Sequence, residues 1–204
     1  MMDPEHRYFV LHKPHDMVSQ FVSPDAVNLL TQINFSFPDG THAIGRLDKD
    51  SEGLLLLTTD KRVTNLLFNS AKLHKRTYLV QVRHFLAEER LEKIRNGVGI
   101  SSTGGSTYIT RPCEVSYAER PDWLLPGAWE VRSDLPHAWA TITLTEGKFR
   151  QVRKMFDAVG NRVMRLVRVS IEDLDITALP PGEVKELSAS EFFSGLHIDP
   201  DGDG

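Results

Sequence analysis

One acidic side chain, Asp48, stands where a protein can make a carboxylate reactive. It closes the run Gly-Arg-Leu-Asp at Gly45–Asp48, shortly before the four leucines Leu54–Leu57, which indicate a buried strand. A carboxylate at the edge of such a strand is short of water, so its surroundings control its charge and nucleophilicity. The spacing indicates nucleophilic or acid–base chemistry. For an isolated aspartate near a glycine, a structural role in a turn is the more common one.

Basic residues are concentrated in one later stretch, which is opposed only by Asp157. Its seven members are Lys148, Arg150, Arg153, Lys154, Arg162, Arg165 and Arg168. From residue 171 onward the net charge is −8, which leaves +4 on residues 1–170 of a chain whose total is −4. This asymmetry favours a basic surface that faces a polyanion. Charge alone is equally compatible with a solvated helix followed by a solvated tail.

Hydrophobic periodicity predicts the elements that position these residues. The predicted strands are Tyr8–Leu11, Thr41–Ile44, Gly53–Thr58, Thr77–Val82, Ala138–Thr145 and Val163–Val169. The predicted helices are Asn28–Ile33, Asp60–Phe68, Glu88–Asn96, Gln151–Val159 and a last one that begins with the capping pair Ser188 and Glu191. Because this order lacks a regular βαβ rhythm, we expect an α+β fold with a mixed, largely antiparallel sheet flanked by helices.

Composition places the chain among globular proteins and narrows its setting. It has 204 residues, of which 40% are hydrophobic and 25% charged, and no stretch is long enough to span a bilayer. The polar N-terminus does not resemble a signal peptide, and the single cysteine, Cys113, cannot form an intrachain disulfide, so we expect a cytoplasmic protein. His12 and His15 have no clustered third ligand, so we expect no metal.

Four short motifs, in order along the chain, resemble the pseudouridine synthases that modify ribosomal RNA, the RsuA-type family. They are Lys13-Pro14, the run Gly45–Leu57, Lys75–Tyr78 and Glu146–Met155. The chain is most similar to the short type that acts on the large ribosomal subunit. The resemblance implies conversion of uridine to its C-glycoside isomer by a catalytic fold with two subdomains and a central cleft.

The resemblance also assigns the catalytic residues. Asp48 would act as a nucleophile toward the ribose or the base, or as a base on the sugar. Arg153 would form an ion pair with Asp48 and keep it ionised. Tyr78 would stack on the displaced base and assist proton removal from its ring carbon. The alternatives are a phosphate-binding or solvated Arg153 and an ordinary core-edge Tyr78.

A second group of residues is expected to bind the RNA. Arg46 would fill the space left when the nucleotide is extruded from its stack, unless it forms only a surface salt bridge. Arg150, Lys154 and Lys148 would contact phosphates. The Lys-Pro motif adds Lys13 to this group.

We therefore expect one catalytic domain over residues 1–196, without a preceding RNA-binding domain, and a disordered acidic tail over residues 197–204. The expected substrate is ribosomal RNA, with the large subunit favoured, and the protein is expected to be a monomer that uses no cofactor and binds no membrane. Two other functions remain open. One is a non-catalytic ribosome-assembly factor, and the other is a nucleoside or glycoside hydrolase that pairs Asp48 with Asp50 or Glu52.

Overall fold

The computed structural model describes residues 6–68, 72–102 and 104–200. None of the helices in these ranges is long and apolar enough to cross a membrane. The strands are β1 (Tyr8–Lys13), β2 (His42–Ile44), β3 (Glu52–Thr58), β4 (Arg76–Arg83), β5 (Gly99–Ser101), β6 (Thr107–Ile109), β7 (Glu114–Ala118), β8 (His137–Leu144), β9 (Val163–Ile171), β10 (Leu174–Asp175) and β11 (Val184–Leu187). The α-helices are α1 (Arg62–Phe68), α2 (Glu88–Asn96), α3 (Gln151–Ala158) and α4 (Ala189–Leu196).

The chain divides into two compact units, and the first unit is built from two separate segments. It contains the chain up to His74 and from Arg168 onward. Strand β1 pairs antiparallel with β11 on one side and with β3 on the other, in a register that sets Lys13 opposite Gly53. Strand β2 also pairs antiparallel with β3. The four leucines of β3 are fully buried, which confirms that they are core residues.

The second unit is one continuous segment, Lys75–Val167. Strand β8 pairs antiparallel with β4 and with β7, and β5 and β6 form a separate hairpin. Helices α2 and α3 contribute Leu91, Met155 and Phe156 to a hydrophobic core that also includes Val80 and Ile142. In α3, Met155 and Phe156 lie on the face of the helix that packs into this core. The opposite face is therefore left for charged side chains.

The predicted α+β fold with a largely antiparallel sheet is confirmed. The predicted helix Asn28–Ile33 is wrong, because only a single 3₁₀ turn, Leu30–Gln32, forms there. The hydrophobic periodicity of the sequence did not predict β7 or β11, which are short and carry exposed charged residues. Short polar edge strands of this kind give a weak periodic signal.

The capping pair that begins α4 is confirmed, because the Ser188 and Glu191 side chains each bond the other's backbone N–H. The first two residues of the predicted tail over residues 197–204 make contacts with the rest of the chain. The His197 side chain lies 2.6 Å from an Asp173 carboxylate oxygen, and Ile198 N–H donates to the Phe193 carbonyl. Residues 201–204 lie outside the described part of the chain.

Candidate active site

Asp48 lies in the loop that joins β2 to β3, residues 45–51, called here the Asp48 loop. Gly45 opens it with a φ of +71°, and a Cβ there would lie 2.9 Å from the Phe68 ring. Ser51 N–H donates to the Asp48 carbonyl at 3.0 Å, which closes a turn. The Asp48 side chain is half-buried and Arg46 is exposed. The sequence thus folds locally into a tight turn that places Asp48 at the boundary between the interior and solvent.

A buried serine from another segment holds this loop. The Ser19 hydroxyl accepts a hydrogen bond from Leu47 N–H and donates one to the Leu47 carbonyl, each at 3.0 Å. Ser19 and Leu47 are both buried. Because Leu47 directly precedes Asp48, this double hydrogen bond fixes the backbone that carries the carboxylate. No motif in the sequence pointed to Ser19.

Lys13 is completely buried beside the Asp48 loop. Its ammonium donates to the Pro14 carbonyl at 2.8 Å and to the Met17 carbonyl at 2.6 Å. Burial lowers the pKa of Lys13 to about 8, although the negative charges of Glu52, Asp50 and Asp48 oppose the shift. The RNA-binding role of Lys13 stays a prediction. Because Lys13 is buried, its position favours a different role, in which its positive charge balances the acidic residues of the Asp48 loop from inside the protein.

The other carboxylates near Asp48 do not form a pair on one strand face. Asp48 and Asp50 both precede β3 in the turn, so they do not lie on one strand, where two residues at this spacing would share a face and could act as the paired carboxylates of a hydrolase. Glu52 begins β3 and is buried. Within the described ranges no three His, Cys, Asp or Glu side chains are grouped so that they could hold a metal ion.

Tyr78 and Arg153 both belong to the second unit. Tyr78 lies on β4 opposite Ile142 and is partly buried against the core of that unit. Arg153 lies on α3 and is buried, and its Nη1 donates to the Val163 carbonyl at 3.3 Å. The ion pair of Arg153 with Asp48 and the stacking role of Tyr78 stay predictions.

The loop that joins β8 to α3, residues 145–150, is held from inside by two side chains. Buried Gln151 donates to Glu146 Oε1 at 2.6 Å and accepts from Lys148 N–H at 2.9 Å. Glu146 also accepts from the Tyr108 hydroxyl and from Arg111 N–H. Burial alone would raise the pKa of Glu146, but these hydrogen bonds hold it below its ordinary value. The β8–α3 loop is therefore fixed in place.

The seven residues of the basic stretch do not all lie on the surface. Lys148 and Arg162 are exposed, and Arg150 and Lys154 are half-buried. The remaining three, Arg153, Arg165 and Arg168, are buried. The Arg165 guanidinium forms an ion pair with Glu130 and the Arg168 Nε donates to the Leu54 carbonyl, so these two cations have partners inside the protein.

Comparisons with known proteins agree with the motifs. The sequence profile described as RNA pseudouridylate synthase matches residues 7–158. The ribosomal large subunit pseudouridine synthase E of Xanthomonas axonopodis pv. citri (strain 306) is 38% identical over 174 residues, which cover 84% of this chain and 89% of the relative. The protein of the same name from Vibrio vulnificus (strain CMCP6) is 35% identical over 185 residues, with 90% and 76% covered. A crystal structure of a pseudouridylate synthase superposes with a TM-score of 0.73 at 28% identity, covering 96% of this chain and 76% of the other.

Proposed function

Because this chain belongs to the RNA pseudouridylate synthase family, we propose that it isomerises uridine to pseudouridine in ribosomal RNA. The observation that carries the proposal is the position of Asp48, the aspartate of the family motif, on a turn that Ser19 holds through two hydrogen bonds to the preceding residue. The large-subunit RNA is the favoured substrate, since the two relatives described above carry large-subunit names.

The proposed reaction balances without an added oxidant, reductant or cofactor. The bond from the ribose C1′ to the uracil N1 breaks, the base turns, and C1′ bonds to the uracil C5. The proton on C5 leaves and N1 gains a proton, so the product is an isomer of the substrate. The difficult step is separating the base from the sugar, which a positioned carboxylate assists.

We assign that carboxylate to Asp48, and the three routes that the sequence left open remain open. It acts as a nucleophile at the ribose, as a nucleophile at the base, or as a base on the sugar. Tyr78 is proposed to stack on the detached base and to assist loss of the C5 proton. Arg153 is proposed to keep Asp48 ionised by pairing with it.

The target nucleotide must leave its stack before a group can reach the bond between sugar and base. We propose that Arg46, which is exposed and two residues from Asp48, occupies the vacated place. The accessible cations of the β8–α3 region, Lys148, Arg150 and Lys154, are proposed to bind the phosphates. The buried arginines of the same stretch have no part in this contact.

Three further points belong to the proposal. The catalytic domain covers residues 1–196, the protein acts in the cytoplasm, and it works as a monomer. Sedimentation at micromolar concentration tests the oligomeric state, and a chain ending at Leu196 tests the domain limit. Because His197 and Ile198 contact the first unit, we expect that truncation to lower stability slightly and to leave turnover measurable.

The experiment that tests the function measures tritium release from large-subunit ribosomal RNA labelled at the uracil 5-position. Wild type should release tritium and yield pseudouridine without free uracil, whereas Asp48→Asn should release none. Asp50→Asn is the matched control in the same loop and should keep turnover. Free uracil would indicate a hydrolase, and RNA binding without any tritium release would indicate an assembly factor.

A further inference from the structure

The geometry points to Phe149 as a stacking platform for an unpaired base of the RNA substrate. Phe149 lies in the β8–α3 loop, and 72% of its surface is exposed to solvent. A phenylalanine so exposed contributes little to the core, and leaving it in water forgoes the free energy of burial. An aromatic ring held outward among cations is the arrangement with which proteins bind single-stranded nucleic acid.

The loop holds the backbone of Phe149 in a fixed position. On one side of Phe149, the Lys148 N–H donates to buried Gln151, and on the other, Arg150 adopts a left-handed φ of +53° before α3 begins. Gln151 in turn donates to Glu146, which Tyr108 and Arg111 also bond. A ring on a fixed loop loses little conformational entropy when a base stacks on it, which favours binding.

Cations lie in the same part of the molecule as the Phe149 ring. The Lys154 ammonium lies 5.4 Å from the centre of the Phe149 ring, and it also donates to the Ser101 carbonyl at 2.6 Å. The Lys148 ammonium lies 4.7 Å from the centre of the Tyr108 ring. Together with Arg150 these side chains give an accessible positive field around one exposed aromatic face.

The combination of positive charge and an exposed aromatic ring indicates which kind of molecule binds at Phe149. A base stacked on Phe149 brings its flanking phosphates towards Lys148 and Lys154, whereas a neutral apolar partner offers these lysines no negative charge. Bases in a duplex are already stacked on their neighbours and are not available to the ring. The occupant is therefore a single-stranded nucleotide. This inference rests on the proposed function for the identity of the polyanion as RNA.

Binding of a fluorescein-labelled oligouridine of about 12 nucleotides tests the inference by fluorescence anisotropy. Phe149→Ala should weaken binding about tenfold, the usual loss when one stacking ring is removed. The slope of log Kd against log salt concentration should stay unchanged, because no charge has been removed. Phe149→Trp should bind at least as tightly as wild type, and oligouridine should quench the fluorescence of the added indole.

Phe85→Ala provides the matched control, since Phe85 lies in the same unit and is 77% exposed. It should bind oligouridine as wild type does, and both alanine variants should melt at the wild-type temperature. Oligouridine affinity unaffected by Phe149→Ala would overturn the inference. A loss that Phe149→Trp does not restore would also overturn it, because the loss would then come from a distorted loop.

The same variants separate this inference from the proposed function. If wild type and Phe149→Ala release tritium from ribosomal RNA equally and bind oligouridine equally, the function stands and the stacking platform is refuted. If wild type releases no tritium while Phe149→Ala still lowers oligouridine affinity and Phe149→Trp restores it, the stacking platform stands and the isomerase assignment fails.

Discussion

The two loops that carry the proposed roles, one in each unit, arrange charged residues in opposite ways. Around the Asp48 loop the cation is inside, because Lys13 is fully buried and donates to two backbone carbonyls. In the β8–α3 loop the acid is inside, because Glu146 is enclosed by hydrogen bonds while Lys148 and Phe149 face solvent. The first arrangement sets half-buried Asp48 near an internal cation, and the second leaves cations and a ring accessible.

The difference shows how burial assigns roles to residues of the same type. A buried charge needs a compensating partner and is costly to move, so it interacts with groups inside the protein and not with a ligand in solvent. An accessible charge costs little to hold and can exchange its counter-ions for phosphates. Lys13 and Lys148 both belong to motifs of the same family, yet only Lys148 is placed where a phosphate can reach it.

Among the variants that distinguish the roles of the two loops, substitution of Asp48 is expected to have the largest effect on activity. Asp48→Asn should lower the rate of pseudouridine formation by about 10⁴-fold or more, as removal of a catalytic group does in other enzymes. RNA affinity and the melting temperature should stay close to those of wild type, because the amide keeps the shape of the side chain. Single-turnover kinetics beside a binding titration measure the two effects. A fall in affinity of similar size would contradict the division of roles.

The next effect concerns stability against pH and arises from Lys13. In the folded chain its pKa is lowered to about 8, whereas in the unfolded chain it returns to the ordinary 10.5. Between these values the unfolded state binds more protons, so stability should rise with pH. The gain across the window should be about 3 kcal/mol, at ~1.36 kcal/mol per pH unit.

Urea denaturation at about pH 7 and about pH 10 measures this gain as the difference between wild type and Lys13→Met. Lys148→Met removes an exposed ammonium from the other loop and should follow wild type at both values. If Lys13→Met showed the same pH dependence as wild type, the buried ammonium would not be the titrating group.

The buried side chain of Ser19 holds the Asp48 loop, and that of Gln151 holds the β8–α3 loop. Replacing Ser19 should change mainly kcat, and replacing Gln151 should change mainly Kd. Ser19→Ala frees the backbone before Asp48 and should lower kcat by about 10- to 100-fold with little change in Kd. Gln151→Ala frees the β8–α3 loop and should raise Kd about tenfold with little change in kcat. Equal effects of both variants on both constants would show that the loops do not act separately.

The smallest effect is expected in salt dependence. Replacing both Arg150 and Lys154 by glutamine should reduce the slope of log Kd against log salt by about 1.4 for single-stranded RNA, or ~0.7 for each lost contact. Arg132→Gln is the control, because Arg132 is exposed in the same unit and pairs with Asp134. An unchanged slope in the double variant would show that these two cations do not bind phosphates.

Local patterns predicted the local structure well. The alternation in β4 and β8, the helical spacing in α3 and the capping pair of Ser188 with Glu191 each have a cause within a few residues of the chain. The position of Asp48 in a loop before a buried strand was predictable for the same reason. β11 was missed because a short strand with exposed charged residues gives only a weak periodic signal.

The direction in which the charged side chains face could not be predicted in this way. Lys148, Arg165 and Arg168 belong to one basic stretch, yet one is exposed and two are buried. Arg165 is buried because Glu130, from the irregular segment before β8, supplies its counter-charge. Such a pairing depends on which distant segments meet, and charge counts along the sequence carry no information about it.

The divided first unit has a consequence for how the protein is made. A ribosome releases β1, β2, the Asp48 loop and β3 early, but β11, which pairs with β1, follows only after the whole second unit has been synthesised. The second unit is continuous and can begin to fold as it emerges. β1 must therefore wait, with the edge away from β3 unpaired, for β11 to arrive. Vectorial synthesis thus places completion of this edge of the sheet among the last events of folding.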